Sequence, residues 1–201
     1  MLLPNNRKGL VNIMLNPLCS IIVAAYNEES NVRQCLDCLV NQTYENIEVI
    51  IVDDGSIDQT SSIIHTYVQK YSYIKYFYQE NSGILAARRN GLSRAKGNFI
   101  TFLDCDDEFH LDTIEKAMKE FEYPEIDMVL FDLHISVDTT NKNFKSFEYF
   151  TDDKIIEGQD AFMNCIGKWG IHGVGIYRKA IFVKANDHYL KYNNKNYVNN
   201  E

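Results

Sequence analysis

The sequence predicts an α/β fold: a mostly parallel sheet with helices on both faces. Short β-branched apolar runs alternate with segments of helical periodicity, and a helix between successive strands is what parallel pairing requires. The apolar runs are continuous rather than alternating, which marks strands buried on both faces. A length of 201 residues suits one such domain with a full core, or one domain and part of a second.

Residues 1–17 read as a flexible leader ending at Pro17. The run Cys19-Ser20-Ile21-Ile22-Val23-Ala24-Ala25 is the first strand. Val32, Cys35, Leu36, Leu39 and Val40 then recur at helical spacing, with Ser30 or Asn31 available as N-cap. Residues 47–52 form a second strand that stops at Asp53-Asp54-Gly55-Ser56. Ile63, Ile64, Tyr67, Val68 and Tyr71 mark a second helix, and residues 73–78 a third strand. A third helix is expected over 84–96, closed by Lys96-Gly97 in the manner of a helix C-terminus. A fourth strand over 99–103 runs into Asp104-Cys105-Asp106-Asp107, and a helix begins near Leu111. Beyond residue 137 the pattern loosens. Residues 138–154 read as a polar loop or hairpin, followed by a short helix over 159–166 and a strand around 175–178.

Bulk properties narrow the function. With 45% hydrophobic and 24% charged residues the composition is that of a soluble globular protein. A net charge of −8 argues against a nucleic-acid binder, which needs a basic face. A phosphorylated ligand must therefore be held by a metal or by a few placed arginines. Five cysteines without framework spacing read as free thiols of a reducing compartment. Cys35 and Cys38 form a Cys-x-x-Cys, but inside a helical pattern and without a second pair, so they are expected to be packing residues rather than zinc ligands. The sequence shows neither a signal-peptide core nor a run near the ~20 apolar residues of a membrane span. A cytoplasmic location is expected, with peripheral attachment to the inner face of the membrane left open.

In an open parallel sheet, ligands bind beyond the carboxyl ends of the strands. Tyr26-Asn27-Glu28, Asp53-Asp54-Gly55-Ser56 and Asp104-Cys105-Asp106-Asp107 all follow strands, which directs three acidic clusters to one region. Crowded carboxylates repel unless a cation or shared proton relieves them. An Asp-x-Asp at a strand end offers two oxygens to one ion, and oxygen-only ligation favours magnesium, calcium or manganese. The alternative is a capped turn before the next helix. An EF-hand over the same residues fails, because Phe109 stands where the loop needs glycine and a strand precedes it. A dinucleotide-binding turn fails too, since Ala25-Tyr26-Asn27-Glu28-Glu29 has no glycine, and no Walker loop occurs.

The set of motifs resembles the family 2 glycosyltransferases of the GT-A (Rossmann-like) fold. The resemblance rests on the stretch from Ser20 to Glu29, on Asn41-Gln42-Thr43-Tyr44, and on the stretch from Val52 to Asp58. It continues through Asn81-Ser82-Gly83, Ala87-Arg88-Arg89-Asn90-Gly91-Leu92, Ala95-Lys96-Gly97 and the stretch from Phe102 to Asp107, in the family's order and spacing over residues 18–110. It implies a donor-binding unit over 18–137 and an incomplete acceptor-side unit over 138–201. Ala25, Tyr26, Asn27, Glu28, Asp53, Asp54, Gly83, Arg88, Asp104, Cys105 and Asp106 would line the nucleotide-sugar site. Within it Tyr26 would lie against the base, Asp54 would accept the base's imide N–H, and Arg88 would approach the nucleotide or diphosphate, the alternative being a surface arginine on a helix. Asp104 and Asp106 would hold Mg2+ or Mn2+, Asp106 more directly. For Asp53 and Asp54 the alternative is a turn-stabilising contact before Gly55. Two departures stand out: Arg89 replaces the family's usual asparagine, and Leu85 a frequent serine.

What the resemblance implies chemically is transfer of a sugar, with inversion, from a nucleotide-diphosphate donor to a glycan or lipid-linked acceptor, a UDP-sugar being the favoured donor. Inversion needs a general base, in this family an acidic pair well after the metal motif. That pair is expected just beyond Glu201, with Glu201 and Asp187 the weaker choices within the chain. Trp169 and His172 are acceptor-side candidates, each with a core or structural role as the alternative. A catalytically incomplete nucleotide-sugar-binding module is the competing function. A nucleotidyltransferase is disfavoured because no Gly-rich basic loop follows the first strand. A homodimer is compatible with the sequence.

Overall fold

The computed structural model describes residues 16–131, 133–136, 144–147 and 175–184. Trp169, His172, Asp187, Glu201, most of the leader and the helix expected over 159–166 lie outside the described residues. The elements in chain order are β1 (Cys19–Ala25), α1 (Val32–Val40), β2 (Ile47–Asp53), α2 (Thr60–Lys70), β3 (Ile74–Tyr78) and α3 (Ile84–Arg94). They continue with β4 (Phe99–Asp104), α4 (Thr113–Glu120), β5 (Met128–Leu130), β6 (Leu133–Ser136), β7 (Phe144–Phe147) and β8 (Gly175–Arg178). Residues 179–184 are helical.

A six-stranded sheet in the order β3-β2-β1-β4-β8-β5 forms the centre, and β6 and β7 pair separately as an antiparallel hairpin. The pairings β3-β2, β2-β1 and β1-β4 are parallel, whereas β8 runs antiparallel to both β4 and β5. Helices lie on both faces because both faces are apolar. Ile21 and Val23 of β1 pack with Cys35, Leu36 and Leu39 of α1, Ile64 of α2, and Ile114 and Met118 of α4. Ile22 points the other way and packs with Ile50, Val52 and Phe102 against Ala87 of α3 and Phe182. Each fully buried isoleucine or leucine contributes roughly 2 kcal/mol, so the strand that is apolar on both sides gains most in the middle of the sheet. The expected α/β architecture is the one observed.

α3 approaches the sheet closely. A Cβ on Gly91 would sit 2.4 Å from Ile22 Cγ2, so only glycine permits this distance. The helix ends at Arg94, two residues short of the expected 96, and Gly97 is not its cap. Gly97 instead lies in the turn before β4, where a Cβ would meet the Leu18 carbonyl oxygen at 2.6 Å. Strands β5 and β6 were not expected from sequence; β5 is three half-buried residues, too short to show a period. Residues 175–178, far along the chain, enter the central sheet as β8. Among the described residues no helix is long and apolar enough to cross a membrane.

Candidate functional site

The chain order reverses direction at β1. β2 and β3 are laid down on one side of it and β4 on the other, which makes the carboxyl ends of β1 and β4 the topological switch point where such sheets bind ligands. Register brings the expected residues together there. Ala25 pairs with Asp53 on β2, and Ala24 with Asp104 on β4. Tyr26 follows β1 directly and is 48% exposed, so its ring has a free face.

Behind Tyr26 the first two loops are stitched together. Asn27 adopts a left-handed φ of 54°, which asparagine tolerates better than most residues. Its N–H donates to Ser56 Oγ at 3.0 Å, and its Oδ1 accepts from Ile57 N at 2.9 Å. Glu28 N donates to Thr60 Oγ1, Glu29 N to Asp58 Oδ2, and Gln59 N to Glu29 Oε2. Glu28 also accepts from Asn31 Nδ2 at 2.8 Å, while Asn31 itself makes no side-chain cap to α1. Asn27 Oδ1 therefore holds the backbone of the second loop, and the Glu28 carboxylate holds the Asn31 side chain.

The two aspartates at the carboxyl end of β2, Asp53 in its last position and Asp54 just after it, are buried. Asp53 Oδ1 accepts from Ser56 N at 2.8 Å, the turn contact before Gly55, and Oδ2 accepts from Tyr76 Oη at 2.7 Å. Asp54 accepts from Gln79 Nε2 (2.7 Å), Ser82 N (2.9 Å) and Gly83 N (2.8 Å), and so fixes the turn that opens α3. Gly83 sits there with φ of 86° as the N-cap residue. A carboxylate accepts about four hydrogen bonds, so Asp54 retains capacity for one further donor.

From α3, Arg88 reaches across to β4. Its Nη2 donates to both oxygens of Asp104, at 2.6 and 2.8 Å, while its buried Nε has no partner. Cys105 is turned into the core, its Sγ 3.5 Å from the Ala24 carbonyl, so the motif displays only its carboxylates. Asp104, Asp106 and Asp107 each bring an oxygen within 4.8 Å of the others. Partial desolvation by the protein around it, then the neighbouring Asp106 and Asp104, push the Asp107 carboxyl above its ordinary value, although the residue is exposed at the surface. This donor set is all oxygen, acidic and open to solvent at Asp106 and Asp107, which fits a hard divalent cation. The sequence expectation named Asp104 and Asp106; Asp107 was visible in the same run but was not assigned.

Cysteine chemistry is absent from the described part of the site. Cys19, Cys35, Cys38 and Cys105 are all free and buried. Burial pushes the Cys19 thiol up to about 12 and Cys38 to about 11, and a hydrogen bond with Cys105 together with burial raises Cys35 further. Neutral buried thiols are poor nucleophiles, and Cys35 and Cys38 both pack in the core against the sheet.

Comparison with known proteins places the chain in a family. The model of the family described as "Glycosyl transferase family 2" matches residues 20–189. The chain belongs to that family. Over 133 residues it is 38% identical to the putative glycosyltransferase EpsH of Bacillus subtilis (strain 168), an alignment covering 66% of this chain and 38% of EpsH. Among solved structures it resembles TarS 1-349 of S. aureus in complex with UDP, with a TM-score of 0.68, 27% identity, and coverage of 84% of this chain and 48% of that one. It also resembles the mannosyltransferase PcManGT of Pyrobaculum calidifontis in complex with GDP-Man and Mn2+, with a TM-score of 0.55, 26% identity, and coverage of 59% and 36%. The chain thus spans less than half the length of each of these relatives. Its central sheet has the Rossmann-like GT-A arrangement of the TarS structure.

Proposed function

We propose that this chain forms the donor-binding half of an inverting family 2 glycosyltransferase that takes its sugar from a nucleotide diphosphate, UDP in the first instance. The observation that carries this is the group of three carboxylates, Asp104, Asp106 and Asp107, at the switch point of the sheet. The UDP complex of TarS supports the choice of nucleotide, and the Mn2+ complex of PcManGT supports a divalent ion.

Tyr26 would present its exposed ring to the base, and Asp54 would accept the imide N–H with its remaining capacity. Asp104 is held by Arg88, which leaves Asp106 and Asp107 as the freer ligands for Mg2+ or Mn2+. When bound, the ion neutralises charge on the diphosphate leaving group. Arg88 steadies Asp104 and would offer its remaining guanidinium N–H groups to phosphate oxygens. Ala25, Asn27, Glu28, Asp53, Gly83 and Cys105 would shape the pocket through backbone rather than through free side-chain atoms. The acceptor would be a glycan or lipid-linked hydroxyl, with residues 138–201 belonging to the acceptor-side unit. An attachment to the inner membrane face and a homodimer belong to the same reading.

Thermal unfolding with UDP-, GDP- and TDP-sugars, each with and without Mn2+, tests it. A ligand at a hundred times its Kd adds about 2.7 kcal/mol to stability, so a UDP-sugar with Mn2+ is expected to raise Tm by several degrees. No shift with any nucleotide in the presence of metal would remove the proposal. Binding without transfer or donor hydrolysis would leave a nucleotide-sugar-binding module.

A further inference from the structure

The loop that carries Asp106 and Asp107 is tied down at nearly every other residue. Cys105 and Phe109 are buried in the core, and Phe109 meets Phe131 edge-on. Gln34 of α1 donates to Glu108. Past that point the anchors come from the turn after α1. Gln42 Nε2 donates to the His110 carbonyl at 2.9 Å and to the Cys38 carbonyl at 3.1 Å, while its Oε1 accepts from Ile114 N at 3.4 Å. Thr43 adds two more bonds: its N–H donates to the Leu111 carbonyl at 2.9 Å and its Oγ1 to Glu115 Oε2 at 2.8 Å.

Gln42 closes two helix ends at once. Cys38 lies in the last turn of α1, where carbonyls lose their intrahelical partners, and Ile114 lies in the first turn of α4, where N–H groups do. The residue at the N-cap of α4, Asp112, makes no side-chain cap bond, so the Gln42 amide supplies the missing acceptor. A rigid α1 is thereby connected to the far end of the acidic loop. Three carboxylates within 4.8 Å repel one another and would spread apart in an untethered loop.

We infer that Gln42, assisted by Thr43, is a positioning residue that holds the Asp104–Asp107 loop in the conformation that receives a divalent cation together with a diphosphate. The inference rests on the proposed donor site. Neither residue contacts the carboxylates of Asp104, Asp106 or Asp107; both act through the backbone and helix that carry them. Groups that orient metal ligands from behind affect metal affinity by roughly 10–100-fold.

The test is calorimetric titration of the whole chain with UDP, with and without Mn2+, for wild type, Gln42→Leu and Thr43→Val, with Tm measured alongside. Gln42→Leu is expected to reduce the Mn2+-dependent gain in UDP affinity about tenfold and Thr43→Val about threefold, with metal-free UDP affinity within about twofold of wild type in both. Thr43 is exposed, so its variant carries the test even where Gln42→Leu does not fold. An unchanged Mn2+ dependence overturns the inference. So does an equal loss with and without metal, which is the mark of a merely structural contact. If wild type shows no Mn2+-dependent UDP binding, the donor-site proposal itself falls, and this inference with it.

Discussion

Arg88 and Asp104 are joined through a single guanidinium nitrogen, with side-chain exposures of 13% and 32%. That pair balances one of three adjacent carboxylates, so Arg88→Ala should cost more than the bonds it removes. A loss of about 2 kcal/mol in urea unfolding is expected, and Asp104→Asn in the same chain should recover part of it. A double-mutant coupling below about 0.5 kcal/mol would show that the pair contributes little. Glu48 has a different role at the opposite end of the sheet. Its buried carboxylate accepts from Ser20 Oγ (2.8 Å), Lys96 N (2.6 Å) and Lys75 Nζ (3.2 Å). Burial alone would raise its pKa, but the Lys96, Ser20 and Lys75 bonds prevail and hold it below the ordinary 4.5. A depressed folded pKa gives stability that is complete above the unfolded value and lost as pH falls through the folded one. Glu48→Gln should therefore cost about 2 kcal/mol near neutrality, and the gap from wild type should shrink as pH drops below the carboxylate range. A gap that is constant with pH in denaturant titrations would rule this out.

Among the elements, α3 offers the sharpest contest of effects. Alanine is favoured over glycine inside a helix by about 1 kcal/mol, so propensity alone makes Gly91→Ala stabilising. Packing says otherwise, because the added Cβ would lie 2.4 Å from Ile22 Cγ2. Overpacking costs about 1–3 kcal/mol, and a net fall in the urea midpoint is expected; a rise would mean that α3 is free to lift off the sheet. The core strands were legible in sequence because residues buried on both faces leave continuous apolar runs, as in β1 and β2. β5 was not, since three half-buried residues carry no period. The strand ends that bear the site were legible for a topological reason, as Tyr26, Asp54 and Asp106 each follow a recognisable run. Their partners were not. Gln42 and His110 are 68 residues apart, and Glu48 and Lys96 are 48 apart, and such pairings exist only once the sheet order is known. Asn41-Gln42-Thr43-Tyr44 was visible as a motif without a role; its role lies in contacts to a loop much later in the chain.

For the whole molecule, charge sets a condition on any phosphate ligand. A chain of net charge −8 repels a diphosphate in the absence of metal. Metal-free UDP binding should then improve, by about two- to threefold, between roughly 20 and 200 mM NaCl as the repulsion is screened. A nucleic-acid-type site would weaken over the same range, and that result in a salt titration would contradict the charge argument. The central sheet also binds distant parts of the chain together, with β8 lying between β4 and β5. This has a consequence during biosynthesis. β4 and β5 leave the ribosome as consecutive strands, but the edge that each turns towards the other has no hydrogen-bond partner until β8, made much later, enters between them. At roughly 5–20 residues per second, the nascent protein spends seconds with a strand-wide slot open beside β4, offering unpaired edges to any passing extended segment. Chaperone dependence and codon usage between residues 130 and 175 should thus govern its yield more than the stability of the finished fold.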